Sequence, residues 1–377
     1  MKIGFDGKRA VQNYTGLGNY SRYVVEVLCR LYPEESYVLY APKQRENKRL
    51  AGLTERFGQL SIAYPCQSLW KKLRSIWRIW GITPQLEKEN IQLFHGLSNE
   101  LPLNIHKSRI KSVVTIHDLI FLHYPQYYRF IDRLIYSYKF RKACAHADRI
   151  IAVSECTKRD IMQYFHTPES KIEVIYQGCD PVFQQAAGKE RKEDVRKKYD
   201  LPERYILNVG SIEERKNAEL AVKALPYLPQ EIHLVLVGRR TAYTEQIERF
   251  VAASGLCERV HILSKVPFED LPVIYQAAEI FTYPSYYEGF GIPIIEALHS
   301  GTPVVAATGS CLEEAGGPDS MYVHPDSVEE IVEAFNLLLS DPERCKRMVE
   351  KGKAFVQGFS DEQQAKELMS VYKKITG

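Results

Sequence analysis

Along the first half of the chain, short apolar runs rich in Val, Ile and Tyr alternate with longer stretches of helical period. "MKIGFDG", "SYVLYA", "QLFHGL", "SVVTIHDL", "RIIAVSE" and "KIEVIYQG" predict strands, with helices between them. Alternation of this kind builds parallel βαβ units, since a parallel neighbour needs a crossover long enough to hold a helix. A charged stretch, "QQAAGKERKEDVRKKYDLPER", then predicts a linker and a surface helix. The pattern restarts with "YILNVG", "HLVLVG", "RVHILSKV", "IFTYPS", "PVVAA" and "MYVHP". Two doubly wound α/β domains are expected, residues 1–182 and 183–361. The final segment, "DEQQAKELMSVYKKITG", is an amphipathic helix able to pack on either one. Open parallel sheets bind ligands beyond the carboxyl ends of their strands, so two such domains facing each other would enclose a cleft there.

Composition narrows the class. At 377 residues the chain exceeds one ordinary domain. Its 45% hydrophobic and 26% charged residues are those of a globular protein. No run reaches the roughly 18–20 apolar residues of a membrane span. "MKIGFDGKRA" begins directly with a strand and leaves no room for a signal peptide. Eight scattered cysteines form no CxxC pair, which points to reduced thiols and a cytoplasmic protein. Charge is uneven: residues 1–182 hold 27 Lys and Arg against 17 Asp and Glu, a net of +10. The remainder holds 23 against 30, a net of −7. A basic half suits a nucleic acid, an anionic membrane or a phosphorylated substrate; it also suits a merely solvated face.

The candidate chemistry gathers at predicted strand ends. "NYTGLGNYSRYVVEVL" places Gly16 and Gly18 just before a helix, where backbone N–H groups can approach a phosphate. The third glycine of a dinucleotide fingerprint is missing, and a plain tight turn explains the pair equally well. His117 and Asp118 follow "SVVTI", and His95 and Asn99 lie in "FHGLSNELP". Each histidine can meet a substrate oxygen or satisfy a buried carbonyl. In "YILNVGSIEERKN", Arg215 and Lys216 suit a diphosphate, Arg as a fork and Lys as a point charge. In "YPSYYEGFGIPIIEALHSGTPVV", a strand runs into a glycine turn and a proline opens an apolar helix. Such a helix start attracts anions, yet Glu288 sits in the turn and Glu296 about one turn inside the helix. Carboxylates repel phosphate, so both must accept hydrogen bonds from hydroxyls. Hydroxyls on both sides of a diphosphate describe a nucleoside diphosphate sugar.

"EGFGIPIIEA" resembles the E-x7-E signature of retaining glycosyltransferases with the GT-B fold, most closely glycosyltransferase family 4. "TGLGNY", "TIHDLIFLHYP", "IAVSECTKRDI", "VIYQGCD", "VGSIEERKN" and "LVLVG" are similar to that family's other segments, in the same order across nearly the whole chain. The resemblance implies catalytic roles for His117, Arg215, Lys216 and Glu288. Arg215 and Lys216 would bind the diphosphate, with amides near Gly16 and Gly18. His117 would sit against the reacting sugar, beside Asp118. Glu288, with the Gly289 and Phe290 amides and the Gly291–Ile292 helix start, would hold the sugar, and Glu296 the ribose. Backbone around Gly210, Ser211, Gly238, Lys265 and Val266 would complete the donor site. Many relatives carry Arg where this chain has Ser211, which moves the arginine's task to Arg215.

The donor expected is a GDP-sugar or UDP-sugar, with mannose the favoured sugar, and no nucleic acid is involved. No DxD motif is present, and the Arg/Lys pair can stabilise the leaving diphosphate, so no metal or other cofactor is expected. The acceptor would be a saccharide or a lipid-linked saccharide. "SLWKKLRSIWRIWG" bears on it: on one helix Leu69, Trp70, Leu73, Ile76, Trp77 and Trp80 share a face, with Lys71, Lys72, Arg74 and Arg78 opposite. That pattern suits peripheral contact with an anionic membrane, or packing into the N-terminal domain. His95 and Asn99 are further acceptor candidates. A dehydrogenase would not explain Glu288 and Glu296; a sugar-nucleotide epimerase of the same architecture or a non-catalytic sugar-nucleotide binder would.

Overall fold

A computed structural model describes residues 1–13 and 16–377. Tyr14 and Thr15 of the "TGLGNY" stretch lie outside them. The chain forms two units: residues 1–177 with 360–377, and residues 178–359.

The first unit carries seven parallel strands: β1 (Lys2–Asp6), β2 (Ser36–Tyr40), β3 (Leu60–Ala63), β4 (Leu93–Gly96), β5 (Lys111–Ile116), β6 (Arg149–Ala152) and β7 (Ile172–Val174). Their spatial order is β3-β2-β1-β4-β5-β6-β7. Six match apolar runs in the sequence. The seventh, β3, was not anticipated; at the sheet edge it pairs only with β2, and its four residues include Ser61, so no long apolar run marks it. The central strands β4 and β5 are buried on both faces, apart from exposed Lys111, as parallel sheets covered by helices require.

The C-terminal helix Asp361–Thr376 belongs to this unit. It buries Ala365, Leu368, Met369 and Tyr372 against the helix Gly16–Leu31 and the β1 side of the sheet. Polar contacts fix its register: Asp361 takes hydrogen bonds from Tyr23 and Arg30, and Gln364 Nε2 donates to Tyr176 O at 3.0 Å.

In the second unit, β8 (Arg204–Val209), β9 (Ile232–Val237), β10 (Val260–Leu263), β11 (Ile280–Tyr283), β12 (Val304–Ala307) and β13 (Met321–Val323) are also parallel. Their order is β10-β9-β8-β11-β12-β13. From β8 the chain winds outward one way to β9, and from β11 the other way to β12. The adjacent β8 and β11 thus flank a topological switch point, where diverging loops leave a crevice. In the first unit β1 and β4 do the same.

The segment 68–81 differs from the single amphipathic helix expected. Leu73 leaves helical geometry (φ −99, ψ 49), ending one short helix at Lys72 and starting another at Arg74. A π turn over Trp77–Gly81 follows. Break and π turn rotate the phase, so the tryptophans no longer share a face. Trp77 is only 1% exposed and packs in the core, and Trp70 lies half-buried against Gly81, where an added Cβ would fall 2.8 Å from the indole. Arg78 is drawn inward as well. Its guanidinium forks the Asp6 carboxylate, with Nη2 2.5 Å from Oδ2, and Nη1 is 2.6 Å from Glu100 Oε2. Arg78 therefore braces the end of β1 and Trp77 fills the core, so neither stands on the exposed face expected of them. Lys71, Lys72, Arg74 and Trp80 stay exposed.

Candidate active site

The loops that leave β8 and β11 converge on Glu288. Its Oε1 lies 2.8 Å from Lys216 Nζ, 2.9 Å from Arg215 Nη1, 2.9 Å from Ser285 Oγ and 3.0 Å from the Tyr283 hydroxyl. Lys216 Nζ also approaches the Tyr283 hydroxyl at 2.5 Å. Backbone glycines make the arrangement. Gly210 sits at φ +152, and a Cβ there would meet Lys216 Cδ at 3.2 Å, so the glycine lets the lysine stem fold back across the strand end. At Gly238, after β9, a Cβ would fall 1.6 Å from Gly210 O, so only glycine allows this approach.

The two loops are stitched together. Tyr286 N–H donates to Arg215 O at 3.0 Å, and the Arg215 guanidinium donates to Tyr287 O. Asn217, itself left-handed at φ 53, donates from Nδ2 to Pro284 O at 3.2 Å and Pro325 O at 2.7 Å. Cys311 Sγ lies 3.0 Å from both Glu288 O and Phe290 O, pinning the turn from below.

Electrostatics keep the cluster charged. Burial opposes the Glu288 carboxylate, but Arg215 and Lys216 outweigh it and hold the group down at about 2. Burial likewise opposes the Lys216 ammonium, and Glu288 with Tyr283 more than compensates, raising it above the ordinary lysine value. A carboxylate and two cations thus stand within contact distance at the switch point. The cations suit a diphosphate and the carboxylate a hydroxyl.

From the same turn the helix Ile292–Ser300 departs, with Pro293 in its first turn and Gly291 as N-cap. Gly291 has φ +124, and a Cβ there would press on Leu312 Cδ2 at 3.2 Å. Having no side chain, it leaves this helix start without a side-chain cap. Glu296, one turn along, accepts from the Tyr275 hydroxyl at 2.8 Å. Burial pushes its carboxyl up to about 7, against the Tyr275 hydrogen bond and with a smaller contribution from Asp180. The two carboxylates therefore differ: Glu288 is locked ionised, and Glu296 is poised near neutrality.

The remaining donor-site candidates divide. Ser211 follows Gly210 at the end of β8. Lys265, beyond β10, is exposed and left-handed at φ 60, with Val266 half-buried beside it. In the first unit Gly16 opens its helix with open space around its Cα, whereas a Cβ at Gly18 would fall 2.0 Å from Asn13 O. Packing alone demands glycine at Gly18. Asp118 is half-buried and takes the Ile120 N–H at 3.3 Å.

The histidines are internally satisfied. His117 Nε2 is 2.9 Å from Leu97 O, which can only accept, so Nε2 carries the proton and Nδ1 accepts from Gln177 Nε2 at 3.2 Å. Its backbone N–H donates to Asn99 Oδ1 at 2.7 Å, and Tyr20 stands edge-on to its ring. Burial pushes this imidazole down to about 4, so it is neutral at physiological pH. His95 is fully buried between Tyr372 (2.6 Å) and Thr115 (2.8 Å) and is pushed to about 3. His95 is thus enclosed in the interior, where it anchors the C-terminal helix instead of facing an acceptor, and Asn99 positions His117.

Sequence reasoning missed Tyr283, Ser285, Asn217 and Tyr275. The first two stood in the quoted stretch before Glu288, and a strand-end tyrosine with a serine three residues before the carboxylate was a readable signal. Tyr275 comes from the helix Leu271–Ala277 and has no local signal.

With that geometry in view, residues 15–183 match the family model described as Glycosyltransferase Family 4, and residues 190–355 the one described as Glycosyl transferases group 1. The chain is a family 4 glycosyltransferase. It is 29% identical to O-antigen chain mannosyltransferase B of Escherichia coli, over 99% of this chain and 100% of that one. It is also 29% identical to O-antigen chain mannosyltransferase RfbU of Salmonella typhimurium, over 56% of each chain. Among solved structures, the glycosyltransferase superposes on Anabaena HepE in complex with UDP and glucose with a TM-score of 0.79, at 17% identity over 99% of this chain and 100% of that one. The two parallel-sheet units are those of the GT-B fold.

Proposed function

We propose that this glycosyltransferase moves a mannosyl residue from GDP-mannose to a hydroxyl of a saccharide or lipid-linked saccharide, with retention and without a metal ion. The observation that carries the reading is the cluster at the β8–β11 switch point, where Arg215 and Lys216 meet Glu288. Mannose rests on the names of the relatives: the Escherichia coli mannosyltransferase aligns over the whole chain.

In the proposed reaction the diphosphate displaces Glu288 from the two cations. As the sugar–phosphate bond breaks, positive charge grows on the ring and negative charge on the leaving diphosphate. Arg215, Lys216 and the start of the helix Ile292–Ser300 stabilise that negative charge without reorganising. A divalent ion would duplicate their work. The freed Glu288, with the Gly289 and Phe290 amides, accepts from hydroxyls of the mannose, and Glu296 takes the ribose. Gly16, Asp118 and His117, all residues of the first unit, keep the donor and sugar roles that the family resemblance implies, His117 with a fixed tautomer. The acceptor hydroxyl attacks on the leaving-group face and gives its proton to a phosphate oxygen. The enzyme acts in the cytoplasm, and at the inner face of the membrane when its acceptor is lipid-linked.

The test is nucleotide release and nucleotide-induced thermal stabilisation with GDP-, UDP- and ADP-sugars in the presence of EDTA. Stabilisation by GDP-mannose in the wild type and not in Glu296→Ala, with slow GDP release, is the expected result. A covalent mannose trapped on Glu288, or activity lost to EDTA and restored by manganese, would overturn the mechanism. Response to a UDP-sugar alone would overturn the donor.

A further inference from the structure

Large apolar side chains left in solvent are concentrated in one part of the first unit. The helix Phe130–His146 exposes Phe130 and Ile131 (each 68%), Leu134 (56%), Ile135 (45%) and Tyr138 (55%). These positions recur at i, i+1, i+4, i+5 and i+8, a single stripe on its N-terminal two turns. The buried residues of the same helix, Phe140, Ala143 and Cys144, all lie in its C-terminal half. The second contributor is the broken segment 68–81, which exposes Leu69, Leu73, Ile76 and Trp80. An apolar cavity of about 390 Å³ joins the two, with Ile79 and Trp80 on one wall and Leu134, Ile135 and Tyr138 on the other. The cavity joins the Trp80 end of segment 68–81 to the Leu134–Tyr138 part of the helix stripe. Monomeric proteins seldom expose such an apolar grouping without a use.

The charge around it selects the occupant. Segment 68–81 has four basic residues and no acidic one; segment 129–142 has five basic residues and only Asp132 acidic. Arg78 and Lys139 are spent on Glu100, but Lys71, Lys72, Arg74, Arg129 and Arg141 remain exposed around the apolar stripe. A second copy would bring the same cations against themselves, which disfavours a dimer through this face. Apolar side chains including Trp, rimmed by cations, match the boundary between acyl chains and anionic headgroups.

We propose that this face docks the enzyme on an anionic lipid bilayer, with the Phe130–Tyr138 stripe and Leu69, Leu73, Ile76 and Trp80 entering the acyl boundary. The proposal deepens the acceptor side of the function above and takes its purpose from it. It differs from the sequence expectation in substance. The main inserting element is the helix at 130–138, and Trp77 and Arg78 take no part. No helix among the described residues is long and apolar enough to cross a membrane, so the contact lies in the plane of the interface.

Flotation of the full chain with vesicles tests it, using equal parts phosphatidylglycerol and phosphatidylcholine against phosphatidylcholine alone. Binding is expected on the anionic vesicles, and Ile131→Ser with Leu134→Ser should lower the partition coefficient at least about tenfold. Lys71→Ala and Arg74→Ala should each lower it about fivefold on anionic vesicles only. Both residues of the apolar pair are more than half exposed, and unchanged melting temperature and nucleotide-induced stabilisation would show the variant folded and donor-competent. Failure of the wild type to float, equal flotation of the apolar double variant, or a wild-type dimer abolished by Leu134→Ser would each overturn the proposal. The donor assay needs no vesicles, so the docking face and the transfer reaction fail or stand separately.

Discussion

With Glu296 holding the ribose as proposed, donor affinity should depend on pH with a midpoint near 7. The Glu296 carboxyl is pushed to about 7 in the unliganded protein, by burial. A carboxylate that grips the two hydroxyls of a ribose must be ionised, since a protonated carboxyl has one oxygen committed as a donor. Below pH 7 a proton must therefore leave as the donor binds. Apparent affinity should fall about tenfold per pH unit there, roughly a hundredfold between pH 8 and pH 5, or about 2.7 kcal/mol. GDP-mannose is the correct probe, because its diphosphate diester does not itself titrate in this range, whereas the terminal phosphate of GDP does. Calorimetry at pH 6 in buffers of different ionisation enthalpy should count nearly one proton released per donor bound. Glu296→Gln should bind weakly and without pH dependence. Tyr275→Phe should shift the midpoint upward, since the Tyr275 hydroxyl donates to Glu296 Oε2 and favours the carboxylate. Stability runs the opposite way. The folded value lies above the ordinary 4.5, so the native state holds a proton that the unfolded chain has lost. Unliganded stability should therefore decline by about 3 kcal/mol as pH rises from 4.5 to 7. Donor affinity flat from pH 5 to 8, or an unchanged slope in Glu296→Gln, would refute the reasoning.

Three further outcomes are expected. Glu288→Gln frees Arg215 and Lys216 from their carboxylate, so GDP should bind at least as tightly as in wild type while transfer falls roughly 10²-fold or more; a parallel loss of GDP binding by calorimetry would contradict the displacement step. The same carboxylate, depressed to about 2 from 4.5, contributes stability that is full above pH 4.5 and lost as pH falls towards 2, and acid-unfolding curves of wild type and Glu288→Gln should diverge in that window. Tyr372→Phe leaves His95 Nδ1 buried without its partner; denaturant unfolding should show a loss of about 1–3 kcal/mol with donor binding unchanged.

The two sheets were legible because parallel strands covered on both faces must be written as apolar runs. Twelve of the thirteen strands coincide with such runs. The exception, β3, needs no strong run because an edge strand has one neighbour and partial burial. Glu288, Glu296, Arg215 and Lys216 were legible for a different reason. The two carboxylates conflict with an ordinary phosphate-binding helix start, which marked that turn, and the adjacent cations after a strand marked the loop that meets it. His95 misled. A histidine at a strand end carries the same letter whether it faces substrate or a buried partner, and only the fold, which brings Tyr372 from 277 residues away and Thr115 from the next strand to its ring, decides that case.

By itself, then, the sequence determined the parallel sheets, the switch-point loops and the chemical types gathered there, since each is encoded in local periodicity or in a short motif. The tertiary structure alone decided which side chains face which partner. It clamped Glu288 between two cations, moved the Glu296 carboxyl to neutrality through burial, and turned Trp77 and Arg78 inward at a broken helix. It also brought the apolar stripe at 130–138 alongside Trp80, about fifty residues away in the chain. Burial and charge proximity are sums over distant segments, and no local window of sequence contains them.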